Sequence, residues 1–297
     1  MASQREVKTR IASFKNIQKI TRAMEAVSAA RLRRAEQRIA AMRPYADALR
    51  RMTRQAAKDA GTEASRLPLL AVREQEERVG ILLVTADRGL AGAFNSQILR
   101  AGLRIGSEVE SERKTPVWFA TGRRGVSSLS FRGKPLDGTY TGFTDRPSYA
   151  DARRIAEDLT TGYVDGRLDR VEIVYNGYVS PLTQRVTRET LLPISQATVL
   201  GEDDEQERQG PRALVDYAPE AEEILRVLLP DYVEISLYRA LLESTASEHG
   251  ARMTAMRSAS ENAGELIEDL ALEMNRARQA EITQEIMEVV AGAESLV

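Results

Sequence analysis

Apolar and polar positions recur with two different periods along this chain. Residues 4–60 hold one proline, Pro44, and no glycine. Small or apolar side chains fall at Ala35, Ile39, Met42, Ala46, Leu49 and Ala56, mostly on a four-three spacing. Ile20, Met24 and Val27 repeat that spacing in a shifted register, as do Val7, Ile11 and Phe14. The pattern predicts one long helix with a narrow apolar seam, bent at Pro44. At the other end Met256, Ser260, Ala263, Ile267, Leu270, Met274 and Ala277 follow the same spacing. They predict a second long helix starting at Pro230, where a missing N–H costs least. Its seam of small residues and Met suits close, irregular packing. Gly250 and Gly264 each weaken it locally by about 1 kcal/mol relative to Ala.

The middle reads differently. Val79 to Ala86 is an apolar run ending in turn residues, as a buried parallel strand would be. A helix is expected from Phe94 to Glu112, a strand from Pro116 to Gly122 and a helix from Ser148 to Tyr163. Further strands are expected over Val171 to Tyr178 and Gln184 to Ile194. Strands alternating with helices imply an open α/β layer over roughly residues 75–200. Residues 201–213 are acidic, lack large apolar side chains, and read as a loop. The expected class is α/β. Residues 1–60 and 214–297 form a long antiparallel two-helix coiled coil, around an inserted Rossmann-like open domain at 61–213.

Dimensions support that arrangement. A 60-residue helix spans about 90 Å and residues 231–295 about 97 Å, whereas a domain of 140 residues has a radius of gyration near 14 Å. Helices of that length have to project and pair with each other or with a partner.

Charge sharpens the picture. The 297 residues carry 42 Lys+Arg and 44 Asp+Glu, a net charge of -2. Residues 1–60 have a net +10, 61–200 a net +2, 201–230 a net -6 and 231–297 a net -8. An antiparallel pair sets the basic end against the acidic one. Exposed ion pairs contribute only ~0.2–1 kcal/mol each, so the seam supplies most of the cohesion.

Candidate chemistry is sparse. With no Cys and one His, disulfides, thiolate metal sites, Cys nucleophiles and HExxH zinc sites are excluded. No window approaches a membrane span and the N-terminus lacks the apolar core of a signal peptide. The turn Asp87-Arg88-Gly89-Leu90-Ala91-Gly92 stands where a dinucleotide fold places its phosphate loop. It has Asp where the first glycine belongs, so a structural turn is the expected reading. The only Gly-Lys, Gly133-Lys134, precedes Pro135, not the Ser or Thr of a P-loop. His249 lies within a helix, and Asp203, Asp204 and Glu205 lie in a loop unsuited to fixed acid–base geometry. The arginines of the first helix carry no interleaved aromatics, so nucleic-acid binding is not expected. No cofactor and no metal are expected.

The last helix is unusual in its polar decoration. Asn275 to Ile286 crowds hydrogen-bonding side chains near a helix end, and Arg278, Gln279 and Thr283 can make directional contacts to a surrounding protein. Ile282, Ile286, Val289 and Val290 should overhang residue 1 and present an apolar face that needs a sleeve.

Three blocks together resemble the γ subunits of F-type ATP synthases. The first is Ile11-x-Ser13-x-x-Asn16-x-x-Lys19-Ile20-Thr21-x-Ala23-Met24-x-x-Val27. The second is Asp87-Arg88-Gly89-Leu90-x-Gly92-x-Phe94-Asn95. The third runs from Ser247-Glu248-His249-x-x-Arg252-Met253 through Asn275-Arg276-Ala277-Arg278-Gln279-x-x-Ile282-Thr283 to Gly292-Ala293. The resemblance implies a noncatalytic rotor shaft, one copy per complex, standing inside a ring of three α and three β subunits. It would meet an ε subunit and a membrane ring of c subunits below. Proton-driven turning of the c ring would be coupled mechanically to ATP synthesis or hydrolysis at β. The chain would lie at the cytoplasmic side of a bacterial cell membrane, touching it only through the c ring. By matching positions, Arg278, Gln279 and Thr283 would bond to β loops, and Lys19, Met24 and Arg252 would lie by the ring, Met24 and Arg252 near an acidic β loop. Ile282, Ile286 and Val290 would form a bearing tip. Asp216, Tyr217 and Glu220 would belong to the foot on the ε and c-ring side. Gly250 stands where the family usually has Ala. The competing readings are an enzyme using the α/β domain, and a free-standing scaffold or nucleic-acid binder.

Overall fold

The computed structural model describes residues 4–73, 75–194 and 221–294. In chain order the elements are α1 (Gln4–Ala60), a 3-10 turn (Gly61–Arg66), β1 (Arg78–Val84), α2 (Phe94–Ser111), β2 (Thr115–Thr121) and α3 (Arg123–Phe131). β3 (Leu136–Tyr140), α4 (Tyr149–Val164), β4 (Arg170–Tyr178), β5 (Gln184–Leu192) and α5 (Ala221–Glu294) follow. Two compact units result. One spans Ala30–Ala251; the other joins the chain's two ends, Met1–Ala29 and Arg252–Val297.

The larger unit is built on a five-stranded sheet of order β3-β2-β1-β4-β5. β1 pairs in parallel with β2 and β4, and β2 in parallel with β3, while β5 closes the far edge antiparallel to β4. The side chains of β1 alternate between two cores, as the two-residue period of a strand requires. Leu82 and Val84 join α4 and residues 225–241 of α5 on one face; Val79, Ile81 and Leu83 join α2 and α3 on the other. Both faces are covered, which is why β1 reads as a continuous apolar run. Helix α4 starts on a full capping box. Ser148 Oγ accepts from Asp151 N and the Asp151 carboxylate accepts from Ser148 N.

The long helices are fastened to this layer within the unit. Arg31 bonds Asp145 and Tyr178 bonds Glu36. Tyr149 donates to Glu234 at 2.6 Å, Arg239 to Glu189 at 2.7 Å, and Thr245 Oγ1 to the Thr144 carbonyl at 2.9 Å. At Gly250 a Cβ would stand 3.0 Å from the Pro181 carbonyl oxygen. The β4–β5 turn therefore packs against bare helix backbone there, which accounts for a glycine.

In the smaller unit Val7, Ile11 and Leu270 are buried together with Phe14, Ile267 and Met274 packed against them. Further along, Gln18 Nε2 donates to the Ser260 carbonyl and Arg22 Nε to Ser260 Oγ, both at 3.3 Å. Arg257 then donates to Glu25 at 2.8 Å. Residue numbers rise on α1 as they fall on α5, so the two segments run antiparallel.

Several sequence expectations change. α5 begins at Ala221, with Pro230 inside it. Its apolar face already runs through Leu225 and Leu229 before continuing to Val233 and Leu237, so packing carries the helix across the proline. α3 and β3 were not anticipated. The seam block Ile20–Met24–Val27 is also corrected: Ile20 and Val27 are 59% and 52% exposed, and Thr21 and Ser28 take the buried positions. Their hydroxyls donate to Gln18 and Met24 carbonyls of the same helix, so small polar residues can be buried satisfied.

Candidate functional site

Three places concentrate chemistry. The first is the turn after β1. Asp87 lies at the carboxyl ends of the parallel strands, where open α/β sheets take their ligands. Its carboxylate is engaged by the chain itself. Oδ2 accepts from Gly142 N at 2.9 Å, Thr144 N at 3.2 Å and Thr144 Oγ1 at 2.9 Å; Oδ1 accepts from Arg123 N at 3.1 Å, at the start of α3. Burial favours the neutral acid, but the four bonds outweigh it and hold the Asp87 pKa below its ordinary value. The donors that would hold a phosphate are filled by an internal anion. The sequence showed the misplaced charge; that it ties three loops together was not legible.

Beside it, Gly122 has φ +80° and ψ +140°, and a Cβ there would stand 2.3 Å from the Thr85 carbonyl oxygen. Thr85 Oγ1 donates to the Thr121 carbonyl at 2.6 Å and accepts from Gly125 N at 2.8 Å.

The second place is a cleft of about 610 Å³ in the larger unit, lined by Arg31, Arg34, Arg38, Arg146, Asp145 and His249, with Leu242 among its apolar wall residues. Asp145 is its one carboxylate among the described lining residues, and the Arg31 guanidinium engages both of its oxygens. His249 Nε2 lies 3.8 Å from Asp145 Oδ1. Sequence reasoning missed this cleft. The signal was available in the four-residue step from Arg34 to Arg38, but Arg146 joins it only through the fold.

The third place is the terminal part of α5 with the first part of α1. Continuing the antiparallel register, residues beyond Ala277 have no opposite number among the described residues of α1. Arg278, Gln279, Ile282, Thr283 and Ile286 are exposed there, as are Met287 and Val289. Thr283 Oγ1 donates to the Gln279 carbonyl at 2.9 Å. Val290 is in the helix, but its side chain lies outside the described residues. On α1, Lys19 is exposed and Met24 half-buried; Arg252 is buried. Asp216, Tyr217 and Glu220, and the loop 201–213, lie outside the described residues. Among the described residues, no helix is long and apolar enough to cross a membrane.

Comparison with known proteins gives a consistent result. A family model described as ATP synthase matches residues 3–296. The ATP synthase gamma chain of Rubrobacter xylanophilus is 46% identical over 296 residues, covering 100% of this chain and 99% of that relative. The ATP synthase gamma chain of a Parafrankia species is 42% identical, covering 100% and 99%. Among solved structures, the central stalk and c-ring structure of the Tetrahymena thermophila mitochondrial ATP synthase matches with a TM-score of 0.59 and 25% identity, over 81% of this chain and 99% of that one. The rotor of the Euglena gracilis mitochondrial ATP synthase shares the fold, with a TM-score of 0.64 at 18% identity over 94% of this chain and 98% of that one.

Proposed function

Because this chain belongs to the ATP synthase gamma-chain family, we propose that it is the central rotor shaft of an F-type ATP synthase, with its paired end segments forming an antiparallel coiled coil. The observation that carries this reading is the smaller unit. The two terminal segments pair there, and α5 runs on past its partner with Ile282, Ile286, Met287 and Val289 exposed. Such a tip suits a collar of surrounding protein. Ile17, Ile20 and Val27 are further exposed apolar side chains of α1.

The mechanism is mechanical and noncatalytic. Turning the shaft presents different faces to each β subunit in succession. Because the contacts differ between alternative β conformations, rotation shifts their populations and nucleotide affinities. Arg278, Gln279 and Thr283 would grip β loops, Ile282, Ile286 and Val290 would turn in the collar, and the basic first helix around Lys19 and Met24 would face an acidic ring segment; Arg252, buried within the chain, would support that surface from inside. Asp216, Tyr217 and Glu220 would meet ε and the c ring, which links the chain peripherally to the cytoplasmic side of a bacterial membrane.

Mixing the chain with its cognate α and β subunits tests the reading. A ring complex containing one copy of the chain, with altered ATPase activity, is expected. No complex and unchanged ATPase activity would sink the rotor assignment. Within that complex, Arg278→Ala, Gln279→Ala and Thr283→Ala combined should change stability of the free chain by less than about 1 kcal/mol, because the side chains are exposed. They should nonetheless weaken ring association at least about tenfold, the loss expected for about 1.4 kcal/mol of interface contact. Pull-down against the α and β subunits at graded concentrations checks it.

A further inference from the structure

The basic cleft is not used by the shaft mechanism. Four guanidinium groups line it against one carboxylate, and that carboxylate is committed to Arg31. Arg34, Arg38 and Arg146 have no carboxylate partner among the described residues. Some exposed arginines elsewhere in the unit do find one, as Arg153 does with Glu157 and Arg226 with Glu222. Three like charges lining one cleft repel one another, and the arrangement is stabilised by whatever anion enters.

From this we propose that the cleft of Arg34, Arg38 and Arg146 is a binding site for a small polyanion of the polyphosphate class. Its volume of about 610 Å³ falls within the range of about 300–1,000 Å³ typical of small-ligand sites. A polyphosphate concentrates a charge on every phosphorus, matching three guanidiniums in one cleft, and each guanidinium can bind phosphate oxygens bidentately. An acidic peptide brings one charge per residue and a backbone that the cleft would also have to hold. Arg31 and Asp145 serve as a neutralised pair that holds the edge of the site, tying α1 to the loop that carries Arg146. The site is distinct from the strand-end turn, where Asp87 already occupies the donors.

Titrating the full-length chain with inorganic tripolyphosphate by calorimetry at low salt tests the proposal, with orthophosphate and a hexaglutamate peptide in parallel. Saturable binding of one tripolyphosphate per chain is expected, weakening steeply with added salt. Orthophosphate should bind at least about tenfold more weakly, since it reaches fewer guanidiniums. Arg34→Ala with Arg38→Ala, and separately Arg146→Ala, should each weaken tripolyphosphate binding about tenfold or more. Arg34 and Arg146 are exposed and Arg38 is half-buried, so circular dichroism should show unchanged folding. Arg132→Ala, outside the cleft, should change nothing. Absence of saturable binding, equal loss in the Arg132→Ala control, or tighter binding of hexaglutamate would each overturn the assignment. None of these outcomes depends on assembly with the α and β subunits, so the test stands apart from the rotor reading.

Discussion

Replacing Asp87 by Ala should cost about 3–5 kcal/mol, enough to leave much of the larger unit unfolded at ordinary temperatures. The carboxylate accepts four hydrogen bonds, three from backbone N–H groups of two segments, Arg123 at the start of α3 and Gly142 and Thr144 in the loop after β3. Truncation removes the acceptor from all four donors around the half-buried Asp87, those of the buried Thr144 among them. Asp87→Asn should be nearly as harmful, because one end of an amide is itself a donor facing donors. The pH dependence has a defined sign. The folded pKa lies below the ordinary 3.8, so the stabilisation is complete above the unfolded carboxylate's pKa and is lost as pH falls through the lower folded value. Urea unfolding followed from pH 7 to pH 3 should show a steeper acid loss for the native chain than for Asp87→Ala. Formate, a carboxylate small enough for the vacated position, should restore part of the loss in Asp87→Ala. A variant within 1 kcal/mol of the native chain, by the usual scatter of surface changes, would show that the four bonds do not hold the loops.

A second large effect is expected at Gly122. Its positive φ is one that side-chain-bearing residues rarely adopt, and a Cβ would lie 2.3 Å from the Thr85 carbonyl oxygen. That oxygen belongs to backbone, which cannot swing away. Gly122→Ala should therefore cost more than about 3 kcal/mol, combining backbone strain with forced separation of β1 and β2. Gly133→Ala provides the comparison. Gly133 also has positive φ, at +67°, but a Cβ there meets nothing within 4 Å, so strain alone, about 1 kcal/mol, is expected. Equal shifts in urea midpoint for the two variants would mean that the close contact adds nothing.

Much of this architecture was legible in the chain. β1, β2 and β4 stood out because both sheet faces are covered, so their residues are apolar on successive positions. β3, Leu-Asp-Gly-Thr-Tyr, did not, because it is an edge strand burying only Tyr140. α3 was hidden by Arg, Gly and Ser, and buries only Gly125 and Leu129. In the terminal seam Met256, Ser260, Ala263 and Leu270 were found and are buried. Apolarity alone marks Ile20 and Val27 as the inner face of the α1 partner block, and the structure puts Thr21 and Ser28 there instead. A close helix pair prefers small residues there, and Thr21 and Ser28 satisfy their own hydroxyls. Exposed Ile20 and Val27 then belong to the outer face. Of the candidate site, the polar end of α5 was readable from residue types alone, whereas the arginine cleft needed Arg146 from a loop more than a hundred residues distant.

The smaller unit is made from the two extremes of the chain, Met1–Ala29 and Arg252–Val297. During synthesis the first segment emerges without its partner, and at about 5–20 residues per second the intervening stretch takes on the order of 10–40 s to follow. Val7 and Ile11 remain open to solvent or to chaperones until Ile267, Leu270 and Met274 have been made. A prematurely terminated chain could complete its sheet yet never this unit. Assembly then has a built-in test of completeness, since only a finished chain offers a partner a closed helix pair.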